Sequence, residues 1–314
     1  MPNPASRPPR RSVLYVPALN ARAIAKARAL DVDALIFDLE DAVAPGMKQA
    51  ARQTLAGAFA EGGFGHRETV VRINAVDSPE WQADLETVAI CRPDAVLLPK
   101  VSSPDDLRTL ATALGDAGLG DAMRMWAMVE TSAGLLRLDE WVLHGLALGP
   151  ALDCLVVGTN DIAKETGVDP GDERRYLLPW LMQVVLVAKR HGVCVLDGVW
   201  NDFSDTAGFD AEARQSVKMA FDGKTLIHPS QVAPANQWFT PPEATLAQAR
   251  AVVAAFQLPE HANAGVIKLE GRMVERLHLA QAERLLAFDD ALAQRHKEAA
   301  DVPPLAGQVP AGPA

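Results

Sequence analysis

The residues that could do chemistry here stand where apolar runs stop. The run Ala34-Leu35-Ile36-Phe37 ends in Asp38, Glu40 and Asp41. Arg72 sits inside VVRIN, Lys100 follows VLLP, and Glu130 follows MWAMV directly. Asn160 and Asp161 follow CLVVG within GTNDIA. An isolated acid after a strand is ordinarily a helix cap or a solvated turn. Arg72 and Glu130 resist that reading, because a charge among apolar neighbours must be paired or face a ligand. Carboxylates on two successive strands suit a hard divalent cation. Magnesium takes one or two protein carboxylates and fills its octahedron with water and substrate oxygens. Glu130 and Asp161 are the expected ligands, with Mn2+ as a possible substitute, and Arg72 would neutralise a substrate carboxylate or a developing oxyanion. Histidine is sparse and neither HxxxH nor HExxH occurs, which argues against zinc.

Eight short runs set up these ends: 12–16, 34–38, 69–73, 95–99, 125–129, 154–158, 193–197 and 224–228. They are continuously apolar rather than alternating, as strands covered on both faces of a parallel sheet should be. Helical patterns lie between them at 20–30, 46–60, 80–90, 104–115, 135–144, 173–191 and 210–221, and Pro17, Pro45, Pro79, Pro104 and Pro170 mark seams. Eight strand–helix units in about 230 residues predict an α/β fold, a (β/α)8 TIM barrel. A doubly wound sheet would usually carry a Gly-rich loop after its first strand, whereas PALNARAIAKA follows here. In such a barrel the carboxyl ends of the strands form the active rim. The same reasoning places Asn74, Asp197 and His228 at that rim. Asp153 precedes the sixth run and so falls at the other end, which favours Asp161, in the loop after that run, as the second acid.

The barrel is expected over 11–240. A small C-terminal helical lid or oligomerisation segment is expected over 241–298, with a helix at 242–256, a short extended element and a further helix. Pro-rich residues 1–10 and 299–314 read as disordered tails. Among 314 residues 49% are hydrophobic and the formal charge is −10, an acidic balance that argues against nucleic acid as partner. No run is long enough for a membrane span and no secretory signal is evident. Cys91, Cys154 and Cys194 read as buried reduced thiols, so a cytoplasmic protein is expected.

Taken in order, RRSVLYVP, DALIFDLEDAVAPGMKQAAR, VVRIN, VLLPKV, VETSAG, GTNDIA, FDGKTLIHPSQV and GVIKLEGRMVERLHLAQAERL resemble the citrate lyase beta-subunit and malyl-CoA lyase family, over about residues 10–290. The resemblance implies a TIM barrel, Mg2+ held by Glu130 and Asp161, Arg72 facing the substrate, and a homotrimer or hexamer. It implies that Asp38, Glu40 and Asp41 order waters, the metal's outer shell and Arg72. Arg22 and Lys26, four apart on the first helix, match the region that meets coenzyme A phosphates, although they also read as an ordinary basic face. The implied activity is cleavage or formation of a 3-hydroxyacyl-CoA such as malyl-CoA or citramalyl-CoA, giving an acyl-CoA and a 2-oxo acid. The family's lid commonly carries an aspartate as acid/base in a neighbouring subunit's site. This chain has Glu275 after Met273-Val274, a displacement by one methylene to which proton transfer is sensitive. A thioesterase using the same site, an aldolase on CoA-free acids and a non-catalytic scaffold are the alternatives.

Overall fold

The computed structural model describes residues 8–301 other than 121, 150 and 262, with side chains as far as 297 apart from 296. Two compact units emerge, one over Arg10–Phe239 and the other over the residues from Thr240 with the short stretch before Arg10.

The first unit is a closed barrel of parallel strands in sequence order. They are β1 (Ser12–Pro17), β2 (Ala34–Asp38), β3 (Glu68–Arg72), β4 (Ala95–Leu98), β5 (Arg124–Val129), β6 (Leu152–Val157), β7 (Cys194–Asp197) and β8 (Gly223–Leu226), with β8 pairing back onto β1. Each observed strand lies within two residues of its expected run. Alternation then decides what each side chain meets. Val13, Ile36, Val70, Leu97, Trp126 and Leu196 pack inside the barrel. The intervening residues, such as Leu35, Val71, Val96 and Val195, pack outward in the larger core with the helices. The pattern is a continuous apolar run because both sides are covered.

Helices follow the strands: α1 (Ala21–Ala27), α2 (Lys48–Glu61), α3 (Trp81–Cys91), α4 (Pro104–Asp116), α5 (Ser132–Leu136), α6 (Leu138–Leu146), α7 (Thr159–Thr166), α8 (Leu178–His191), α9 (Thr206–Lys218) and α10 (Val232–Phe239). Local chemistry fixes their starts. Ser103 and Asp106 form a reciprocal capping box with Pro104 in the first turn, Asn20 caps α1 and Asp205 caps α9. The pattern expected over 173–191 begins late, because Asp172, Glu173 and Arg174 all have positive φ and break it. The expected 135–144 helix is two pieces. Neither α7 nor α10 was anticipated.

The amino end of the barrel is closed by charge. Buried Arg10 stacks 4.5 Å from the Trp126 ring, donates two 2.7 Å hydrogen bonds to Glu68 and pairs with Asp153. Arg10 is thus built into the barrel floor, although it falls within the expected tail 1–10. Asp153 is held at this floor and not at the rim.

The second unit holds α11 (Glu243–Gln257), a hairpin of β9 (Val266–Leu269) and β10 (Arg272–Glu275), and α12 (Arg276–Asp301). The hairpin replaces the single extended element expected. Glu270 and Gly271 both have positive φ, as a two-residue turn of the mirror-image type requires. Val252, Phe256, Ile267 and Val274 form its own small core. Residues 299–301 of the expected tail continue α12, and 302–314 lie outside the described residues. No described helix is long and apolar enough to cross a membrane.

Candidate active site

The inward positions of β2, β3, β5 and β6 lead upward to Asp38, Arg72, Glu130 and Gly158. Asp38 and Arg72 are register partners on adjacent strands. Arg72 donates from Nε to Asp38 Oδ1 at 2.7 Å and from Nη2 to Oδ2 at 2.6 Å, a bidentate pair with both side chains buried. Asp38 also accepts from the backbone N–H groups of Glu40 (2.9 Å) and Ala42 (3.0 Å), so the turn after β2 is wound around its carboxylate. The remaining Arg72 nitrogen, Nη1, lies 3.1 Å from Glu40 Oε2 and 3.9 Å from Asp41, and the guanidinium sits 4.9 Å from the Tyr15 ring centre. The counter-charges hold Arg72 firmly protonated against its burial.

Glu130 is 1% exposed. The Lys100 backbone N–H donates to its Oε1 at 2.7 Å, and its Oε2 has no hydrogen-bond partner among the described residues. Burial, with the charges of Glu40 and Asp161 nearby, raises its pKa to about 7. Gly158 stands beside it, and a Cβ there would fall 2.5 Å from Glu130 Oε2. Burial likewise raises Glu40, opposed by Arg72 and Lys100, whose ammonium donates to Glu40 Oε1.

A cavity of about 380 Å³ opens over these groups. Tyr15, Asp38, Asp41, Arg72, Gly158 and Asp161 are among its walls; Glu40 pairs with Arg72 and Glu130 stands against Gly158, and Lys100 bonds both acids. Asp161 lies in the first turn of α7, not in the loop that the sequence led us to expect. Asn160 and Asn201 exchange hydrogen bonds of 2.8 and 3.1 Å at the wall.

The fold therefore brings Asp38, Glu40, Asp41, Arg72, Lys100, Glu130, Asn160 and Asp161 to one rim. Arg22 and Lys26 lie exposed on α1 and do not line the cavity. Glu275 belongs to the second unit, half-buried at the end of β10, with its backbone N–H donating to His278 Nδ1 at 2.9 Å. One rim expectation, Asp197, is corrected, and His228 and Asn74 are taken up by local partners. Asp197 points outward, because Cys194 and Leu196 take the inward positions of β7. There it accepts from Arg174, Ser216 and the fully buried Lys224, which together lower its pKa to about 2. His228 caps the turn Pro229–Gln231 and stacks on Phe203. Asn74 bonds Lys48, Asp84 and the Leu39 carbonyl behind the rim. Tyr15, Met128 and Gly158 were missed. The pattern around them held no signal beyond their even spacing with Val13, Trp126 and Val156.

The donor set fits a hard cation. No cluster of three or more His, Cys, Asp or Glu side chains is poised for a metal among the described residues. Magnesium needs only one or two protein carboxylates, because water and substrate oxygens complete its shell. An unpartnered carboxylate oxygen beside a glycine is the kind of opening such an ion needs.

A closed (β/α)8 barrel with acids and a buried arginine at its carboxyl rim defines the class. A profile of the HpcH/HpaI aldolase/citrate lyase family matches residues 11–229, and the chain belongs to that family. It is 42% identical to a (3S)-malyl-CoA thioesterase of Cereibacter sphaeroides over 91% of this chain and 96% of the relative. It is 32% identical to the mitochondrial citramalyl-CoA lyase of Homo sapiens over 91% of this chain and 87% of the relative. The solved structure of CitE from Mycobacterium tuberculosis in complex with magnesium, acetoacetate and coenzyme A is also similar. It superposes with TM-score 0.71 at 30% identity, covering 91% of this chain and 99% of that one.

Proposed function

We propose that the protein is a Mg2+-dependent carbon–carbon lyase. It would cleave a 3-hydroxyacyl-CoA ester of the malyl-CoA or citramalyl-CoA class into an acyl-CoA and a 2-oxo acid. The observation that carries this reading is Glu130: one oxygen is pinned by a backbone N–H, and the other is unpartnered beside Gly158, near the Asp161 carboxylate and the Arg72 guanidinium.

Glu130 and Asp161 would hold Mg2+, which supplies Lewis acidity to the hydroxyl or carbonyl oxygen and the carboxylate of the acid portion of the substrate. In the cleavage direction the hydroxyl loses its proton and the bond between C2 and C3 breaks. Its electrons pass to the thioester as an enolate, and a proton is delivered to C2. Arg72, fixed by Asp38 and flanked by Tyr15, keeps a permanent positive charge aimed at the cavity, where it would stabilise charge developing on oxygen. Asp38 orients Arg72, while Glu40 and Asp41 order water and the outer shell. Glu275, from the C-terminal segment of a neighbouring copy in a homo-oligomer, would serve as the acid/base group. Arg22 and Lys26 would meet the coenzyme A phosphates.

The second reading is hydrolysis of the thioester itself, and the 42% identity to malyl-CoA thioesterases favours it. Water would then add to C1 and the CoA thiol would leave, with C2–C3 intact. The test is to incubate the protein with malyl-CoA, citramalyl-CoA, β-methylmalyl-CoA and citryl-CoA, with and without Mg2+, and to follow released 2-oxo acid and free thiol separately. Oxo acid without thiol supports the lyase, and thiol without oxo acid sinks it.

A further inference from the structure

We propose that Lys100 is a positioning residue that decides which carboxylate oxygens of the rim are left for the cation, an inference that rests on the reading of Glu130 and Asp161 above. Its backbone has φ 55°, in the left-handed region that a lysine rarely occupies. That conformation, immediately after Pro99, aims its N–H at Glu130 Oε1 at 2.7 Å. Its carbonyl accepts from Ser102 Oγ at 3.1 Å, which braces the turn. Its ammonium donates to Glu40 Oε1. A single residue of the β4–α4 connection thus ties down carboxylates that come from β2 and β5.

The two ties have opposite consequences. Glu130 gives up one oxygen and keeps the other, buried and unpartnered. Glu40 Oε2 likewise accepts no hydrogen bond, but Glu40 faces two cations, the Lys100 ammonium at Oε1 and Arg72 Nη1 3.1 Å from Oε2, whereas Glu130 has only a backbone N–H. Glu130 is therefore offered to a cation and Glu40 is withheld from it. The Lys100 side chain is 43% exposed, so its ammonium can be removed without opening the core. Removal leaves Glu40 with one counter-charge and makes the rim more negative. A divalent cation should then bind more tightly, while the displaced Glu40 slows turnover. A lysine with only a structural role would change neither quantity. One that merely contacts substrate would leave cation affinity in the absence of substrate untouched.

The experiment is Mn2+ binding to the full chain without substrate, read by the electron paramagnetic resonance of free Mn2+, for wild type, Lys100→Met, Lys100→Arg and Lys100→Gly. Lys100→Met is expected to bind about three- to tenfold more tightly, since a nearby positive charge has gone. Lys100→Arg should return to within about twofold of wild type, because it restores the charge. Lys100→Gly keeps the N–H to Glu130 and suits the positive φ. It should match Lys100→Met in affinity and unfold at a higher temperature, and it supplies the answer if Lys100→Met does not fold. Unchanged affinity in both neutral variants overturns the role of Lys100 while leaving the Glu130–Asp161 site standing. Failure of wild type to bind Mn2+ overturns both.

Discussion

Gly158→Ala adds one methyl group against the carboxylate on which the account rests. Gly158 has φ −103° and ψ 77°, so alanine meets no left-handed penalty and any effect is steric. The new Cβ would lie 2.5 Å from Glu130 Oε2, 2.6 Å from Glu130 Cβ and 3.3 Å from Met128 Cε. Ordinary contact begins near 3.4 Å, so Glu130 or the strand must yield by about 0.9 Å. Glu130 is buried and its Oε1 is tied to Lys100, which leaves little freedom to turn away. Overpacking of this kind costs about 1–3 kcal/mol. A displacement of about 1 Å at a reacting centre costs on the order of a hundredfold in rate. Two assays read this out: Mn2+ affinity without substrate, expected to weaken at least about tenfold, and Mg2+-dependent turnover, expected to fall about a hundredfold. Thermal unfolding should stay cooperative and shift down by several degrees. A folded Gly158→Ala protein with wild-type cation affinity and turnover would refute the placement of the cation at Glu130 Oε2.

Arg72→Met should destabilise by about 3–5 kcal/mol in denaturant titrations, because Asp38 stays buried without its counter-charge and Glu40 keeps only Lys100; a loss under about 1 kcal/mol would mean the pair is not formed in solution. Glu130 gives a pH dependence of definite sign. Its folded pKa is raised from 4.5 to about 7, so the cation-free protein loses stability as pH rises across that window, by about 3 kcal/mol in all. Cation binding needs the deprotonated form, so affinity should fall about tenfold per pH unit below 7, and Glu130→Gln should abolish both trends. Asp197→Asn should instead cost about 3 kcal/mol of stability near neutral pH, by leaving Lys224 and Arg174 undercompensated, with turnover of the folded fraction unchanged. In wild type the Asp197 contribution is present above the ordinary carboxylate range and is lost as pH falls through about 2.

The eight strands were legible because each is an apolar run bounded by breakers, and a parallel barrel buries both of its faces. That double burial also hid which face each residue takes. Asp38, Arg72 and Glu130 share the inward parity of Ile36, Val70 and Met128, whereas Asp197 shares the outward parity of Val195. Sequence alone could not separate the two sets, so Asp197 was read into the site. One signal was available: Lys224 in an apolar strand demanded acidic partners, and Asp197 and Glu212 are those partners. The α7 helix was missed because TNDIAKET is short and mostly polar. Pro234 near the start of α10 masked a helix that Pro tolerates in its first turn. The dependence of Glu130 on Lys100 and Gly158 joins residues on three strands or their ends, and no local pattern announces it.

Run in reverse, a lyase forms the carbon–carbon bond, whereas a thioesterase cannot. Acetyl-CoA or propionyl-CoA would be incubated with glyoxylate and Mg2+, and the products examined by mass spectrometry. A new 3-hydroxyacyl-CoA is expected, absent with chelator and absent in Glu130→Gln. No such product, while malyl-CoA releases free thiol under the same conditions, would contradict the lyase reading and make the rim a thioesterase site.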